Sequence, residues 1–302
     1  MENSMKKILG ILGGMGPAAT ADLYGKIVAL TEALSDGEHI RTIIDSNVNI
    51  PDRTAAILSG GESPLEEMEA ALDNLVCCGA EVIIIPCNTA HYFLPALKDY
   101  AADNYDVECC ASDDTECCAA DTECCDNECC DTECCAAARL IFVSMIEETA
   151  KACAERNPET AALLATRGTL ESGLYQCALE KNGVNYIMPD EEGKDILMDV
   201  IYNGVKAGAS PESYLPKFAE LLNNLKEQGA DYFVLACTEL PIAYAQLTKL
   251  GKSVAADTHP GTAPAVEGEA TSGVHSDSAY YVIDPTEVLA AAAVKACGYK
   301  VK

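Results

Sequence analysis

Two cysteines at matched positions are the residues of this 302-residue chain whose type and spacing best fit catalysis. Cys87 comes eight residues after Gly79, and Cys237 comes eight residues after Gly229, with an acidic residue and an apolar run in between. A short apolar run after a glycine predicts a strand buried on both faces, as in a parallel sheet. Each thiol is therefore expected at the carboxyl end of a strand, where a turn leads into the next helix.

A pair of thiols can move protons on the two faces of one carbon atom. A free cysteine has a pKa of about 8.5, which a helix N-terminus or a nearby cation lowers. One thiolate can then remove a proton while the opposite thiol delivers one, and this inverts a stereocentre. Cysteine is also a common packing residue in cores, but two cysteines at equivalent turns favour the catalytic interpretation.

The elements that must hold these thiols repeat along the chain. An apolar strand and glycine turn at 11–17 have a counterpart at 163–169, at similar distances before the two cysteine strands. Two units of like design predict an α/β fold with two pseudo-symmetric domains, each with a mainly parallel sheet flanked by helices. Ligands of such sheets bind beyond the carboxyl ends of the strands, so we expect the active site in the cleft between the domains.

Hydrophobic periodicity and turn residues predict the individual elements and the domain boundaries. Strands are expected before Cys237 and at 8–13, 41–45, 81–86, 140–143, 161–165 and 184–187. Helices are expected from 146 and at 17–34, 64–77, 90–101, 170–181, 191–207 and 211–228, with a loop through 49–53. The first domain is expected to comprise 1–104 plus 282–302, the second 140–254, and two low-complexity segments to lie at 105–139 and 255–281.

Charge and hydropathy exclude several classes of partner. The net charge of −28 argues against nucleic acids and anionic membranes, because both require basic patches. Apolar runs stay well below the roughly 18 residues of a membrane span. The apolar start at 8–12 is interrupted by glycine, and a first β-strand fits it better than a signal peptide. We therefore expect a cytoplasmic protein without a membrane partner.

Most of the 17 cysteines lie in one segment, which suggests an alternative function. Ten of them form five Glu-Cys-Cys triplets within 108–135, and the acidic, aliphatic-poor composition around them predicts disorder. Ten thiols can bind soft metal ions, so a thiolate metal-binding protein is an alternative. The segment has neither a histidine nor a Cys-x-x-Cys spacing, and we expect no dedicated metal site. The second segment, 255–281, has the composition of a flexible linker.

A glycine-rich turn that contains Met15 follows the first predicted strand. The pattern Gly14-x-Gly16-x-x-Ala19 also fits the dinucleotide fingerprint, so an NAD(P)-dependent oxidoreductase is a second, weaker alternative. Pro17 removes one of the helix-end amides that would face a pyrophosphate. We favour an amide-lined turn at Met15 that binds a substrate carboxylate.

Polar residues near the thiols complete the predicted site. Arg53 follows a strand in a loop, where a guanidinium can hold a carboxylate in bidentate geometry. Four polar residues directly follow the cysteines: Asn88, Thr89, Thr238 and Glu239. Such residues commonly cap the next helix, and here they can also bind the ammonium and carboxylate groups of a small-molecule substrate.

Seven motifs together resemble the aspartate/glutamate racemase family, the cofactor-independent two-cysteine amino-acid racemases, and the aspartate racemases in particular. They are Gly-Gly-Met-Gly-Pro-x-Ala-Thr (13–20), Ile-Pro-Asp-Arg-Thr (50–54), Pro-Cys-Asn-Thr-Ala-His (86–91), Ser-Met-Ile-Glu-Glu-Thr (144–149), Leu-Leu-Ala-Thr-x-Gly-Thr (163–169), Gly-Val-Lys-Ala-Gly (204–208) and Cys-Thr-Glu (237–239). The resemblance covers the chain except the two low-complexity segments.

This resemblance implies racemisation of aspartate, with glutamate as a further candidate, by 1,1-proton transfer between two bases. It implies that Cys87 and Cys237 are the acid/base pair and that Arg53 and Lys206 hold substrate carboxylates. Nothing in the spacing of the residues singled out Lys206. The resemblance further implies no pyridoxal phosphate or other cofactor, and a homodimer. The two low-complexity segments depart from the family pattern near the crossings between the domains.

Overall fold

The computed structural model describes residues 6–105, 140–249 and 280–302. The cysteine-rich segment predicted at 105–139 lies outside the described residues from 106 onward. The linker predicted at 255–281 lies outside them up to 279. The expectation that these segments are disordered, and the alternative that the first binds metal ions, therefore stay untested.

In the described part of the chain, eight parallel strands form two sheets of four with the same connectivity. The first sheet has the order β2-β1-β3-β4 and the second has the order β6-β5-β7-β8. Their bounds are β1 Leu9–Gly13, β2 Thr42–Ser46, β3 Val82–Ile84, β4 Ile141–Val143, β5 Ala161–Ala165, β6 Tyr186–Ile187, β7 Tyr232–Ala236 and β8 Tyr281–Ile283. The predicted α/β fold with two similar parallel sheets is confirmed.

Helices cover both faces of each sheet. Their bounds are α1 Pro17–Leu30, α2 Arg53–Ser59, α3 Leu65–Cys77, α4 Leu94–Tyr105, α5 Met145–Arg156, α6 Arg167–Glu171, α7 Leu174–Lys181, α8 Glu191–Met198, α9 Pro211–Glu227, α10 Glu239–Lys249 and α11 Pro285–Ala296. The first sheet lies between α1 and α11 on one face and α3 and α4 on the other. Within the three described ranges, every helix is too short or too polar to cross a membrane.

The chain exchanges helices between the sheets at two symmetric crossings. Strand β4 pairs with β3 in the first sheet, but the following helix α5 packs into the core of the second. Strand β8 pairs with β7 in the second sheet, but the following helix α11 packs into the core of the first. The expected boundaries put 140–143 with the second domain and 282–283 with the first. Each of these strands belongs instead to the sheet opposite to the expected one.

Two helical regions differ from the prediction because of local backbone chemistry. The expected loop through 49–53 ends in a short helix, α2, because the Asp52 side chain caps it by accepting a hydrogen bond from the Ala55 N–H at 2.7 Å. The single helix expected at 170–181 is broken between α6 and α7. Gly173 lies there with a φ of 71°, a left-handed conformation that ends a helix.

A π-helical turn at Asp199–Lys206 continues α8 and aims two side chains, Tyr202 and Lys206, at the same pocket. Gly204 in this turn lies against the ring of Tyr214, and a Cβ at Gly204 would come within 2.8 Å of that ring. This close contact between Gly204 and Tyr214 packs the turn tightly against α9. Such π-turns are rare and frequently occur at functional sites.

Gly14 requires glycine, and its replacement should destabilise the protein. Its φ is 93°, and a Cβ there would lie 2.2 Å from the backbone oxygen of Asn47. We expect Gly14→Ala to lower the free energy of unfolding by about 3 kcal/mol or more, because backbone strain and a clash with main chain add together. Gly25→Ala, inside α1 with no atom within 4 Å of the added Cβ, should instead stabilise by about 0.5–1 kcal/mol. Thermal unfolding of both variants measures the contrast, and equal stabilities would contradict it.

Candidate active site

One pocket lies at the carboxyl ends of the central strands of both sheets. In each sheet the order reverses between the first and third strands of the repeat, β1 and β3 or β5 and β7. These reversal points are where open parallel sheets bind ligands. Met15 follows β1 and Cys87 follows β3, while Thr166 follows β5 and Cys237 follows β7. The two reversal points share the same pocket.

All nine residues predicted from the sequence line this pocket, which is partly open to solvent and has about 300 Å³ of empty space when that open solvent is included. Four lining residues were not predicted: Asp52, Thr54, Thr166 and Tyr202. Asp52 and Thr54 flank Arg53 in the motif 50–54, and Thr166 follows a strand as Gly14 does. The sequence positions of these three residues could therefore have indicated that they belong to the site. Tyr202 reaches the pocket through the π-helical turn, which the sequence pattern did not reveal.

The Cys237 thiol is paired with a buried carboxylate. Its Sγ donates a hydrogen bond to Glu239 Oε2 at 3.0 Å, and the Thr238 hydroxyl donates to the same oxygen at 3.1 Å. Burial, followed by the negative charge of Glu239, raises the pKa of Cys237 well above its ordinary value. Cys237 is therefore held as a thiol, with its proton directed at Glu239.

Lys206 balances the charge of this pair. Its Nζ lies 3.7 Å from Glu239 Oε1 and 4.6 Å from the centre of the Tyr202 ring. Burial, the largest single effect, lowers the pKa of Lys206, but the combined attraction of nearby groups, Glu239 first among them, outweighs it and the pKa is raised. The ammonium thus stays charged, with a carboxylate on one side and a π-face on the other. Tyr202 in turn donates to Asp52 Oδ2 at 3.3 Å, across to the first half of the molecule.

The Cys87 turn is held by a neutral, buried histidine. The Met145 N–H donates to His91 Nε2 at 3.0 Å, so the proton is on Nδ1, which donates to the Cys87 carbonyl at 2.9 Å. Burial lowers the pKa of His91 to about 4. The imidazole therefore joins the Cys87 turn to the first residue of α5 without carrying charge.

Because His91 is neutral when folded and titrates near its ordinary pKa of 6.5 when unfolded, it should make stability depend on pH. Between pH 4 and about 6.5 the unfolded chain binds the extra proton, so stability rises with pH, by at most about 1.4 kcal/mol per pH unit from this group. Some 3 kcal/mol should thus be lost as the pH falls through this window. Thermal unfolding of wild type and His91→Asn across pH 4–8 measures it. A variant with the wild-type slope would contradict this role.

Arg53 is fixed by main-chain carbonyls and keeps part of its guanidinium for a ligand. Its Nη1 donates to Ile50 O and Pro51 O at 3.2 and 2.9 Å, and its Nη2 donates to Met15 O at 3.2 Å. The Nε–H is buried without a hydrogen-bond partner in the described part of the chain. An arginine has five N–H donors, so Nε–H and one Nη2–H remain for a bound carboxylate.

The two residues after Cys87 are held by the second half of the molecule. Asn88 Oδ1 accepts a hydrogen bond from the Tyr175 hydroxyl at 2.6 Å. The Thr89 hydroxyl lies 3.0 Å from that of Thr166 and 2.9 Å from that of Thr169, in a buried triangle. The Nδ2 of Asn88, in contrast, is buried without a partner among the described residues, at a cost of about 1–3 kcal/mol.

The contacts of the two cysteine turns are pseudo-symmetric. A Cβ at Gly168, in the turn after β5, would lie 3.2 Å from the Thr89 methyl group, and a Cβ at Gly16, in the turn after β1, would lie 3.7 Å from Glu239 Oε1. The residue two places after each thiol thus packs close to a glycine of the opposite half. The two contacts differ chemically, because Thr89 carries a hydroxyl group and Glu239 carries a carboxylate.

The glycine turn after β1 is explained by contacts within the chain. The Gly14 N–H donates to the Thr20 hydroxyl at 3.0 Å, and the Thr20 side chain fills the space where a Cβ of Gly13 would be. These glycines therefore need no dinucleotide to account for them.

Among the described side chains, no group of three or more His, Cys, Asp or Glu residues is placed to hold a metal ion.

Solved structures with this fold include racemases. An aspartate racemase from Picrophilus torridus superposes with a TM-score of 0.68 and 26% identity, covering 98% of this chain and 96% of that one. A putative Asp/Glu racemase from Yersinia pestis gives a TM-score of 0.61 at 21% identity, covering 96% and 99%. The broad specificity amino-acid racemase RacX of Bacillus subtilis is 22% identical over 240 residues, 77% of this chain and 86% of RacX.

The fold and the pocket define an isomerase, an amino-acid racemase. A family model described as Asp/Glu/Hydantoin racemase matches residues 12–102 and 117–259, and the chain belongs to this family. The resemblance found in the seven sequence motifs is thus confirmed at the level of the family.

Proposed function

We propose that the protein racemises an acidic amino acid, aspartate or glutamate, without a cofactor, in a cleft between its two halves. The observation that carries the proposal is the shared pocket of Cys87 and Cys237, each following the third strand of its own repeat. Two thiols on one pocket from opposite halves suit proton removal and delivery on opposite faces of a Cα.

The charges of the pocket complement an acidic amino acid. Arg53 and Lys206 offer two cations for two carboxylates, and the carboxylates of Glu239 and Asp52 line the same space for one ammonium. Guanidinium and ammonium groups that meet carboxylates directly form the stronger class of hydrogen bonds. A neutral side chain on the substrate would leave one of the two cations without a substrate carboxylate.

The surroundings of the two thiols support a starting role for each in the proposed proton transfer. Cys237 enters as the acid because its proton is directed at Glu239 Oε2. Cys87, as the thiolate, takes the Cα proton, and the electron pair left on Cα forms a planar carbanion with the substrate carboxylate. The Cys237 thiol then protonates the opposite face and becomes the thiolate, next to Lys206. In the reverse direction the roles exchange: the Cys237 thiolate takes the Cα proton, and the Cys87 thiol protonates the opposite face.

Incubation with L-aspartate or L-glutamate in D2O tests this proposal. We expect the D-enantiomer to form with deuterium at Cα, without added pyridoxal phosphate or NAD(P)H. Chiral chromatography and mass spectrometry measure the inversion and the deuterium content. No inversion of either amino acid by the wild-type protein would reject the proposed substrate class.

The family resemblance also leads us to propose a cytoplasmic homodimer. Light scattering behind size-exclusion chromatography gives the mass directly: a particle of twice the chain mass of 31.9 kDa supports the dimer, and one of 31.9 kDa rejects it.

A further inference from the structure

Tyr175 reaches across from the second half of the molecule to a pocket residue of the first. It lies in α7 with no exposed surface, and its hydroxyl donates to Asn88 Oδ1 at 2.6 Å. Tyr175 does not line the pocket itself, whereas Asn88 does. The contact therefore acts on a ligand only through the asparagine.

The hydrogen bond determines which end of the Asn88 amide faces the pocket. An asparagine has one acceptor oxygen and one NH₂ donor group. The oxygen is occupied by the Tyr175 hydroxyl, and the NH₂ group is buried with no partner within the described ranges. Asn88 is only 3% exposed, so water reaches this donor poorly. A buried, unpartnered donor on the pocket wall is suited to an acceptor atom of a ligand.

We propose that Tyr175 is a positioning residue that makes Asn88 a hydrogen-bond donor to a substrate carboxylate oxygen, and not an acceptor for the substrate ammonium. This deepens the function proposed above and rests on it. The sequence left both partners open for Asn88. The orientation of the amide favours the carboxylate, because the oxygen is turned towards Tyr175 while the NH₂ group has no partner among the described residues.

Removal of the Tyr175 hydroxyl tests the positioning. Tyr175→Phe keeps the ring and its packing but frees the amide to rotate. We expect KM for the racemised amino acid to rise about tenfold, the value of one hydrogen bond to a charged group, with kcat within about threefold of wild type. Tyr214→Phe is the matched control, because that tyrosine is also buried and its hydroxyl donates to Gln246, away from the pocket. Its KM should stay within about twofold.

A charge change at Asn88 tests which substrate group it meets. In Asn88→Asp one carboxylate oxygen can still accept from Tyr175, and the other turns a negative charge into the pocket. If Asn88 meets a carboxylate, Asn88→Asp should bind substrate at least about tenfold more weakly than Asn88→Ala, because like charges repel. If Asn88 meets the ammonium, Asn88→Asp should bind more tightly than Asn88→Ala, and that result would overturn the proposal.

Calorimetric binding of succinate, a dicarboxylate without an ammonium group, separates this proposal from the function itself. Wild type should bind succinate, and Tyr175→Phe and Asn88→Asp should each weaken that binding about tenfold or more. Wild-type racemisation with unchanged KM and succinate binding in Tyr175→Phe overturns the positioning role alone. Absence of racemisation by wild type overturns the proposed function instead. If Tyr175→Phe does not fold, by thermal unfolding, the comparison of Asn88→Asp with Asn88→Ala decides.

Discussion

Alanine at either Cys87 or Cys237 should reduce racemisation by about 10³-fold or more, because in the proposed mechanism each thiol is one of the two groups that exchange a proton with Cα. Both thiols are buried at the pocket, only 6% exposed, so a water molecule cannot readily replace either one in the required geometry. The rate of D-aspartate formation from L-aspartate, followed by circular dichroism, measures this loss.

The two cysteine variants should also differ from each other in a way that a merely structural role would not produce. In the proposed mechanism each variant keeps one thiol, which faces the Cα–H bond of only one enantiomer. That thiol can remove and return a proton on the same face, so deuterium should enter one enantiomer in Cys87→Ala and the other enantiomer in Cys237→Ala, without inversion. Mass spectrometry of each pure enantiomer after incubation in D2O measures the exchange.

Cys153→Ala is the matched control for these variants. Cys153 is a fully buried thiol in α5 that does not line the pocket, so its replacement costs packing only. Racemisation should stay within about twofold of wild type. Undiminished inversion in either pocket variant would remove that cysteine from the mechanism, whatever the control shows.

Glu239→Gln should lower kcat by about 100-fold, the size of effect that a positioned general acid or base contributes. The substitution keeps the shape of the side chain but removes the carboxylate that accepts the Cys237 and Thr238 hydrogen bonds. It also leaves Lys206 without its buried counter-ion, at 3.7 Å in the wild type. Because the two enantiomers have equal free energy, kcat/KM must fall by the same factor in both directions.

The pH profile gives a second measure of the same change. Burial is the larger cause of the raised pKa of Cys237, and the negative charge of Glu239 raises it further. Its removal should therefore lower that pKa, and the fall in kcat/KM at high pH, where Cys237 loses its proton, should begin at lower pH in Glu239→Gln. Glu192→Gln on the exposed face of α8 removes the same charge far from the thiols and should leave the profile unchanged. A wild-type profile in Glu239→Gln would assign the carboxylate to substrate binding alone.

The site could be predicted largely because its residues follow strands with strong local patterns. The apolar runs before Cys87 and Cys237 fold as predicted into β3 and β7, and parallel strands of one sheet must end at one edge. Arg53 was predicted as a site residue and lines the pocket, but its local structure was not predicted. An Asp52 cap starts a helix there, and two guanidinium nitrogens of Arg53 bind main-chain carbonyls. The contact with Met15 joins residues far apart in the sequence, and the others depend on the backbone conformation of the loop.

The sequence by itself determined the duplicated strand pattern, the matched thiols and the family, because periodicity and turn chemistry act over a few residues. Only the tertiary structure decided that β4 and β8 join the sheets opposite to the expected ones, since short apolar strands carry no local mark of their partner. It also decided that Glu239 pairs with one thiol and that Tyr175 orients Asn88. The first of these contacts joins neighbours in the sequence and depends on how their side chains are turned in the folded site. The second joins the two halves, which depends on how the halves pack, and no short window of sequence contains both of its partners.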